Sequence, residues 1–174
     1  AKGETKEVLC NYLGTDDFVS YAKEYLNKIK EYNTEDESYG YKSKLKIADA
    51  VWVDNNLTLQ EEFKNSVTNG FGAEVENVDF SAAEKTCGII NSWCDKNTEG
   101  LIPKIITPDL INDTTGLCLT NSLYFESGWS GEPWNVSDTE EKFGNNEKTK
   151  YMTCAGDRYY ENDKATAFGR EYAN

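Results

Sequence analysis

The spacing of apolar and polar residues along the chain switches between two periods, one near 3.6 and one near 2. From Thr5 to Leu13 the period is helical and stops at Gly14. From a cap at Asp16 or Asp17 it is helical again, with Phe18, Tyr21, Tyr25, Leu26, Ile29 and Tyr32 on one stripe. Both predict surface helices laid on a core. A third helix is predicted from Thr58, with Glu61 three residues on in the spacing of a capping box; it buries Phe63 and Val67 and stops at Gly70. The fourth repeats that signal with Ser81 and Glu84. It carries Ala83, Cys87, Ile90 and Cys94 on one side and ends at Thr98 to Gly100.

Strand periods lie between these helices. KLKIADAVWV, Lys44 to Val53, sets Leu45, Ile47, Asp49, Val51 and Val53 on one face and Ala48, Ala50 and Trp52 on the other. VENVDF, Val75 to Phe80, is a shorter strand, and GLCLTNSLYF, Gly116 to Phe125, a longer one. KTKYMT and RYYEN, flanking CAGD, predict a hairpin. The acidic run near Asp36 reads as solvated loop, and no period of about 20 to 50 residues repeats. Neither GxGxxG nor a P-loop follows any strand, which argues against a doubly wound parallel sheet and for a mixed α+β fold.

Two of the apolar rows are interrupted. Asp49 sits among Leu45, Ile47, Val51 and Val53, and Asn121 among Leu117, Leu119, Leu123 and Phe125. A buried amide without partners costs roughly 1 to 3 kcal/mol, and a buried unpaired carboxylate more, so each must be hydrogen-bonded or face a site. A satisfied core network would explain one such residue. Two on neighbouring strands point to a shared polar cluster.

Composition narrows the chemistry. Eighteen basic against 31 acidic residues give a net charge of -13, with no basic cluster, so neither nucleic acid nor an anionic membrane is expected as a partner. No apolar run approaches the roughly 18 residues of a spanning helix, and the chain is expected to be soluble. Opening on AKGETKEVL without Met and ending on AFGREYAN, it is expected to be a fragment. The five cysteines, Cys10, Cys87, Cys94, Cys118 and Cys154, are scattered with no CxxC, which argues against a disulfide framework or a zinc site and for most of them being buried thiols that act as small apolar residues. The chain has no histidine, which removes the usual general base and the commonest metal ligand. No enzyme activity, metal or cofactor is expected. A carboxylate-based glycoside hydrolase would need two facing carboxylates, and only Asp49 is placed inside. Asn56, Asn112 and Asn135 open Asn-x-Ser/Thr triplets, glycan acceptors only in a secreted protein; chance alone gives a few in an Asn-rich chain.

Four stretches then carry a resemblance. IADAVWVDNNLTLQEEF, AEVENVDF, IINSWCDKNTEGLIPKII and TNSLYFESGW are similar, in order, to four motifs of the serpins, the last to the family's Val-Asn-Ala-Ile-Tyr-Phe-Lys-Gly-x-Trp. Together the four are specific, and they extend over nearly the whole chain as a single partial serpin domain, residues 1 to 174.

The resemblance implies helices around a large central mixed sheet, of which this chain would hold strands one to three, with part of a smaller sheet. It implies a longer parent protein that inhibits serine or cysteine proteases outside the cell. In such a protein a reactive loop near the C-terminus is cleaved and inserts as a new strand into the central sheet. Lys44 to Val53 then resembles the second strand of that sheet and Gly116 to Phe125 the third, beside which the loop inserts. The helix from Ala82 to Asn97, with Asn91, Trp93, Thr98 and Gly100, resembles the one lying across the sheet. Asn121, with Asp49 and Ser122, falls in the shutter that lets the sheet open, and Trp129 in the breach where insertion begins.

Several residues depart from the pattern. Asp49 stands where Asn is usual, Cys94 where Val is usual, and Glu126 and Ser127 where Lys-Gly is common. By the same resemblance the family's first helices, C-terminal strands, shutter histidine and reactive loop lie outside these 174 residues. This piece alone is therefore not expected to inhibit, and its third strand should pair with the missing half or with a second copy. A serpin-fold carrier or storage protein remains the alternative. Lysines offset by acids along the second helix predict no heparin-type cofactor.

Overall fold

The computed structural model describes residues 3–32, 43–130, 134–145, 147–153 and 158–172. The acidic stretch near Asp36, the side chain of Tyr32 and the CAGD turn with Cys154 lie outside them. The chain divides into two compact units, one of residues 1–33 with 44–125 and one of 34–43 with 126–174.

In the first unit, α1 (Gly3–Leu13) closes at Gly14, which takes a φ of 70° while its amide donates to the Cys10 carbonyl at 2.8 Å. α2 (Phe18–Tyr32) is capped by Asp17, whose Oδ1 accepts from the Ser20 amide at 3.0 Å. Its inward stripe is narrower than the periodicity predicts. Ile29 is buried and Phe18, Ala22 and Leu26 half-buried, whereas Tyr21 and Tyr25, at the margin of the stripe, are exposed.

Neither predicted capping box forms. α3 (Glu61–Asn65) has Gln60 at its N-cap, so Glu61 is the first helical residue and cannot reach back from the third position. Phe63 is exposed and Val67 half-buried, because α3 lies on the surface and continues as one π-helical turn, Ser66–Gly70. The stop is Gly72 at φ 67°, with the Ala73 amide closing on the Val67 carbonyl at 3.0 Å. Gly70 is required for another reason: a Cβ there would fall 2.6 Å from Cγ1 of Val19 on α2. At α4 (Ala83–Asn97) the N-cap is Ala82, without a side-chain cap. Asp79 organises the entry instead. Its carboxylate accepts from the Ser81 hydroxyl and amide, and its carbonyl from the Ala82 amide and Thr86 hydroxyl.

The sheet has the order β2-β1-β3, with β1 Lys44–Asp54, β2 Glu74–Val78 and β3 Leu117–Glu126. β1 and β2 are parallel, Ala50 opposite Glu74 through Asp54 opposite Val78. β1 and β3 run antiparallel. The Asp54 amide donates to the Gly116 carbonyl at one end, and the Lys44 ammonium lies over the Tyr124 ring at the other. The sheet is therefore mixed, as expected. α4 packs on the face carrying Ala48, Ala50 and Trp52, and Trp52, Phe80, Cys87, Ile90, Trp93 and Cys94 are buried in that core. A fully buried side chain such as Phe80 or Ile90 contributes roughly 1.5 to 3 kcal/mol by leaving water.

In the second unit, β4 (Asn135–Phe143) pairs antiparallel with β5 (Glu147–Thr153), and β6 (Arg158–Glu161) with β7 (Thr166–Gly169). The predicted hairpin of KTKYMT with RYYEN is thus replaced by two others. NVSDTEEKF carries no apolar alternation and is exposed along almost all its length, so periodicity does not mark β4. Local turn chemistry sets both pairings. Gly144 turns at φ 55°, and Asn162 Oδ1 accepts from the Lys164 and Ala165 amides at 2.9 Å each.

Candidate functional site

The antiparallel register of β1 and β3 brings the two interrupting residues together. Asn121 Nδ2 donates to Asp49 Oδ1 at 2.8 Å, a charge-assisted bond across the middle of the sheet. The pair is not buried as the apolar rows suggest: Asn121 is exposed and Asp49 half-buried. The reason is the side on which the helix lies. α4 covers the Trp52 face, while on the Asn121 face Leu119 is 67% and Leu123 58% exposed. The pair stands at the edge of a cleft of about 380 Å3, lined by Val51, Val67, Phe71 and Leu119. A carboxylate only accepts and a side-chain amide does both, so the pair has capacity for a further donor. Asp49 faces an amide rather than a second carboxylate.

Ser122 is not part of this pair. Successive strand residues point to opposite faces, and Ser122 lies buried, its Oγ without a hydrogen-bond partner among the described residues. On the α4 face, Trp52 Nε1 donates to Thr120 Oγ1 at 2.9 Å and its ring meets Trp93 edge-to-face at 6.0 Å. Trp93 Nε1 is also buried without a partner among the described residues.

The other residues of α4 fasten its ends. Asn91 accepts from the Ile105 and Ile106 amides and donates to the Ile106 carbonyl, all within 3.1 Å, folding the following loop back against the helix. Thr98 closes the C-terminus: its hydroxyl donates to the Cys94 carbonyl at 2.9 Å and accepts from the Ile102 amide at 3.1 Å. Gly100, at φ 80°, donates to the Asp95 carbonyl, a turn only glycine adopts without strain. Lys44 then pairs with Glu99 at 2.7 Å and Lys46 donates to the Lys96 carbonyl at 3.2 Å, tying β1 to the end of α4. The Lys44 bond holds the Glu99 carboxyl below its usual range. Burial pushes the Cys87 and Cys94 thiols up, which keeps them as inert packing groups, as expected, whereas Cys10 and Cys118 are only half-buried.

Asp54 is a structural residue that the periodicity does not reveal. Buried at the end of β1, it accepts from the Asn56 amide and side chain at 2.9 Å and from the Phe80 amide, and those bonds, that of the Asn56 amide first, lower its pKa. The Asp-x-Asn spacing of a turn is the only local signal for it. Asn56, Asn112 and Asn135 are all exposed. On α2, Lys28 is bridged to Glu24 at 3.0 Å.

In the second unit Trp129 stacks on Tyr172, with ring centroids 4.5 Å apart and planes 17° from parallel. The two residues also form an antiparallel bridge.

Among the described residues no helix is long and apolar enough to cross a membrane. The family model described as "Serpin (serine protease inhibitor)" matches residues 1–168. Serpin-ZXA of Oryza sativa subsp. japonica is 31% identical over 142 residues, covering 81% of this chain and 36% of the relative. Human neuroserpin is 30% identical over 137 residues, covering 76% of this chain and 32% of the relative. The chain thus spans about a third of the length of these relatives. Among solved structures, Arabidopsis AtSerpin1 in its native stressed conformation matches with a TM-score of 0.78 at 24% identity, covering 99% of this chain and 45% of that one. Cleaved Serpin 42Da matches with a TM-score of 0.75 at 22% identity, covering 100% and 47%. On a family match that takes in almost every residue, with the helices and mixed sheet of the solved serpins, the chain belongs to the serpin family.

Proposed function

We propose that these 174 residues are one partial serpin domain, the sheet-opening part of an extracellular protein that traps serine or cysteine proteases by loop insertion. They are not an enzyme. The observation that carries the reading is the Asn121–Asp49 bond midway along β1 and β3. A sheet that must admit a strand needs a latch that is satisfied when shut and can be satisfied again by a new neighbour. A polar pair with spare hydrogen-bonding capacity at the open edge of a cleft suits that task; a packed leucine would not. Ser122, buried on the opposite face of β3, belongs to the same sheet-opening set by the family resemblance. By the same reading, residues beyond these 174 cover the Leu119–Leu123 face and supply the bait. No polyanion activates the protein, because the lysines of α2 are interleaved with acids.

The test is incubation of the full-length protein with trypsin-like, chymotrypsin-like and papain-like proteases. A covalent complex that survives denaturing electrophoresis is expected with at least one of them. Cleavage without any complex across the three classes would refute inhibition and leave a carrier or storage serpin.

A further inference from the structure

The second unit contains a cation held between aromatic rings that the reading above does not use. The Arg170 guanidinium carbon lies 4.8 Å from the Trp134 ring centroid and 6.0 Å from that of Trp129, and Nη2 donates to the Ser130 carbonyl at 3.2 Å. The backbone around it is laced to the same place. The Ser130 amide and hydroxyl both donate to the Glu171 carbonyl, at 3.0 and 3.1 Å, and Glu171 in turn pairs with Arg158 at 2.8 Å. Trp134 meets Phe168 edge-to-face, and Trp129 is stacked on Tyr172.

We propose that Arg170 is the positioning residue for Trp129. Its planar cation, between two indoles and bonded to the carbonyl of Ser130, fixes the indole of Trp129 against the ring of Tyr172. This rests on the reading of Trp129 as the place where insertion begins. Where the family commonly has Lys-Gly before the tryptophan this chain has Glu126 and Ser127; the cation over the Trp129 ring is Arg170, more than 40 positions later in the chain. The position of the indole is thus set by residues from both ends of the unit, and it loosens when that contact is lost.

The full-length protein labelled with 15N in its tryptophans reads the indole N–H of Trp52, Trp93, Trp129 and Trp134 separately, with Trp52 and Trp93 of the first unit as references. Arg170→Gln is expected to shift Trp129 and Trp134 while Trp52 and Trp93 stay. It should also speed hydrogen exchange at the Ser130 amide by about fivefold to thirtyfold, the equilibrium equivalent of losing two exposed cation–π contacts. Arg170→Lys keeps the charge without the plane and restores part of the protection. Unmoved Trp129 and Trp134 resonances, or equal shifts in all four, would overturn the proposal. Should Arg170→Gln unfold the second unit, Arg170→Lys carries the test alone: a shifted Trp129 with faster Ser130 exchange supports it, and wild-type exchange overturns it. The insertion reading is tested apart, in the full-length protein. If Trp129→Phe leaves the rate of cleaved-loop uptake unchanged, that reading fails and takes the functional half of the proposal with it. The indole shifts report on positioning alone.

Discussion

Asn121 and Asp49 owe their pairing to charge and reach rather than to burial. With Asn121 exposed and Asp49 half-buried, water competes for both groups, and their bond is worth less than in a sealed core. Asn121→Ala should therefore cost only about 1 kcal/mol, read as a lower midpoint in urea at unchanged slope. Asp49→Asn keeps an acceptor for the same donor and should fall within about 0.5 kcal/mol of the wild type. A loss of several kcal/mol in either variant would show that the pair is sealed from water. The two anomalies in the hydrophobic pattern were legible as a cluster because alternation fixes which residues share a face. Their exposure was not, because alternation does not say which face a helix will cover.

At the scale of elements, α4 shows how a helix can be secured to a sheet without a cap at its start. Asp79 sets its entry, Thr98 and Gly100 its exit, and Asn91 binds the loop that follows. Asn91→Ala removes three hydrogen bonds at once and should cost about 1 to 2 kcal/mol, with faster hydrogen exchange at Ile105 and Ile106. Asn91→Asp keeps the acceptor and should protect both amides while losing only the bond to the Ile106 carbonyl. Equal exchange in the two variants would mean that the loop is held by packing alone. The extents of α4, β1 and β3 could be read from periodicity, since each has one strongly apolar face. The false capping boxes at Thr58 and Ser81 show the limit of a spacing rule: a match of residue types three apart carries no information about where the helical backbone begins.

For the whole molecule, depressed carboxylates set the acid limit. Bonds to the Asn56 amide lower Asp54, the Ser81 hydroxyl lowers Asp79, and Lys44 lowers Glu99. Each binds its proton more weakly folded than unfolded, so its contribution is complete above the ordinary carboxylate range and is lost as pH falls through the lower folded values. Thermal stability should therefore be flat from neutrality to about pH 5 and fall below about pH 4, with a shallower fall in Asp54→Asn. An unchanged acid limb in that variant would remove Asp54 from the account. By itself the sequence determined the fold class, the faces of β1 and β3, the core side of α4 and the four motifs, because periods of 2 and 3.6 and residue identity are local properties. Tertiary structure alone decided that Asp49 reaches Asn121, that the face of β3 carrying Ser122 is the buried one, that β5 pairs with β4 rather than β6, and that Arg170 lies between Trp129 and Trp134. Those outcomes depend on which strand a polar chain meets and which face a helix covers, and both are set by contacts between residues far apart in the chain.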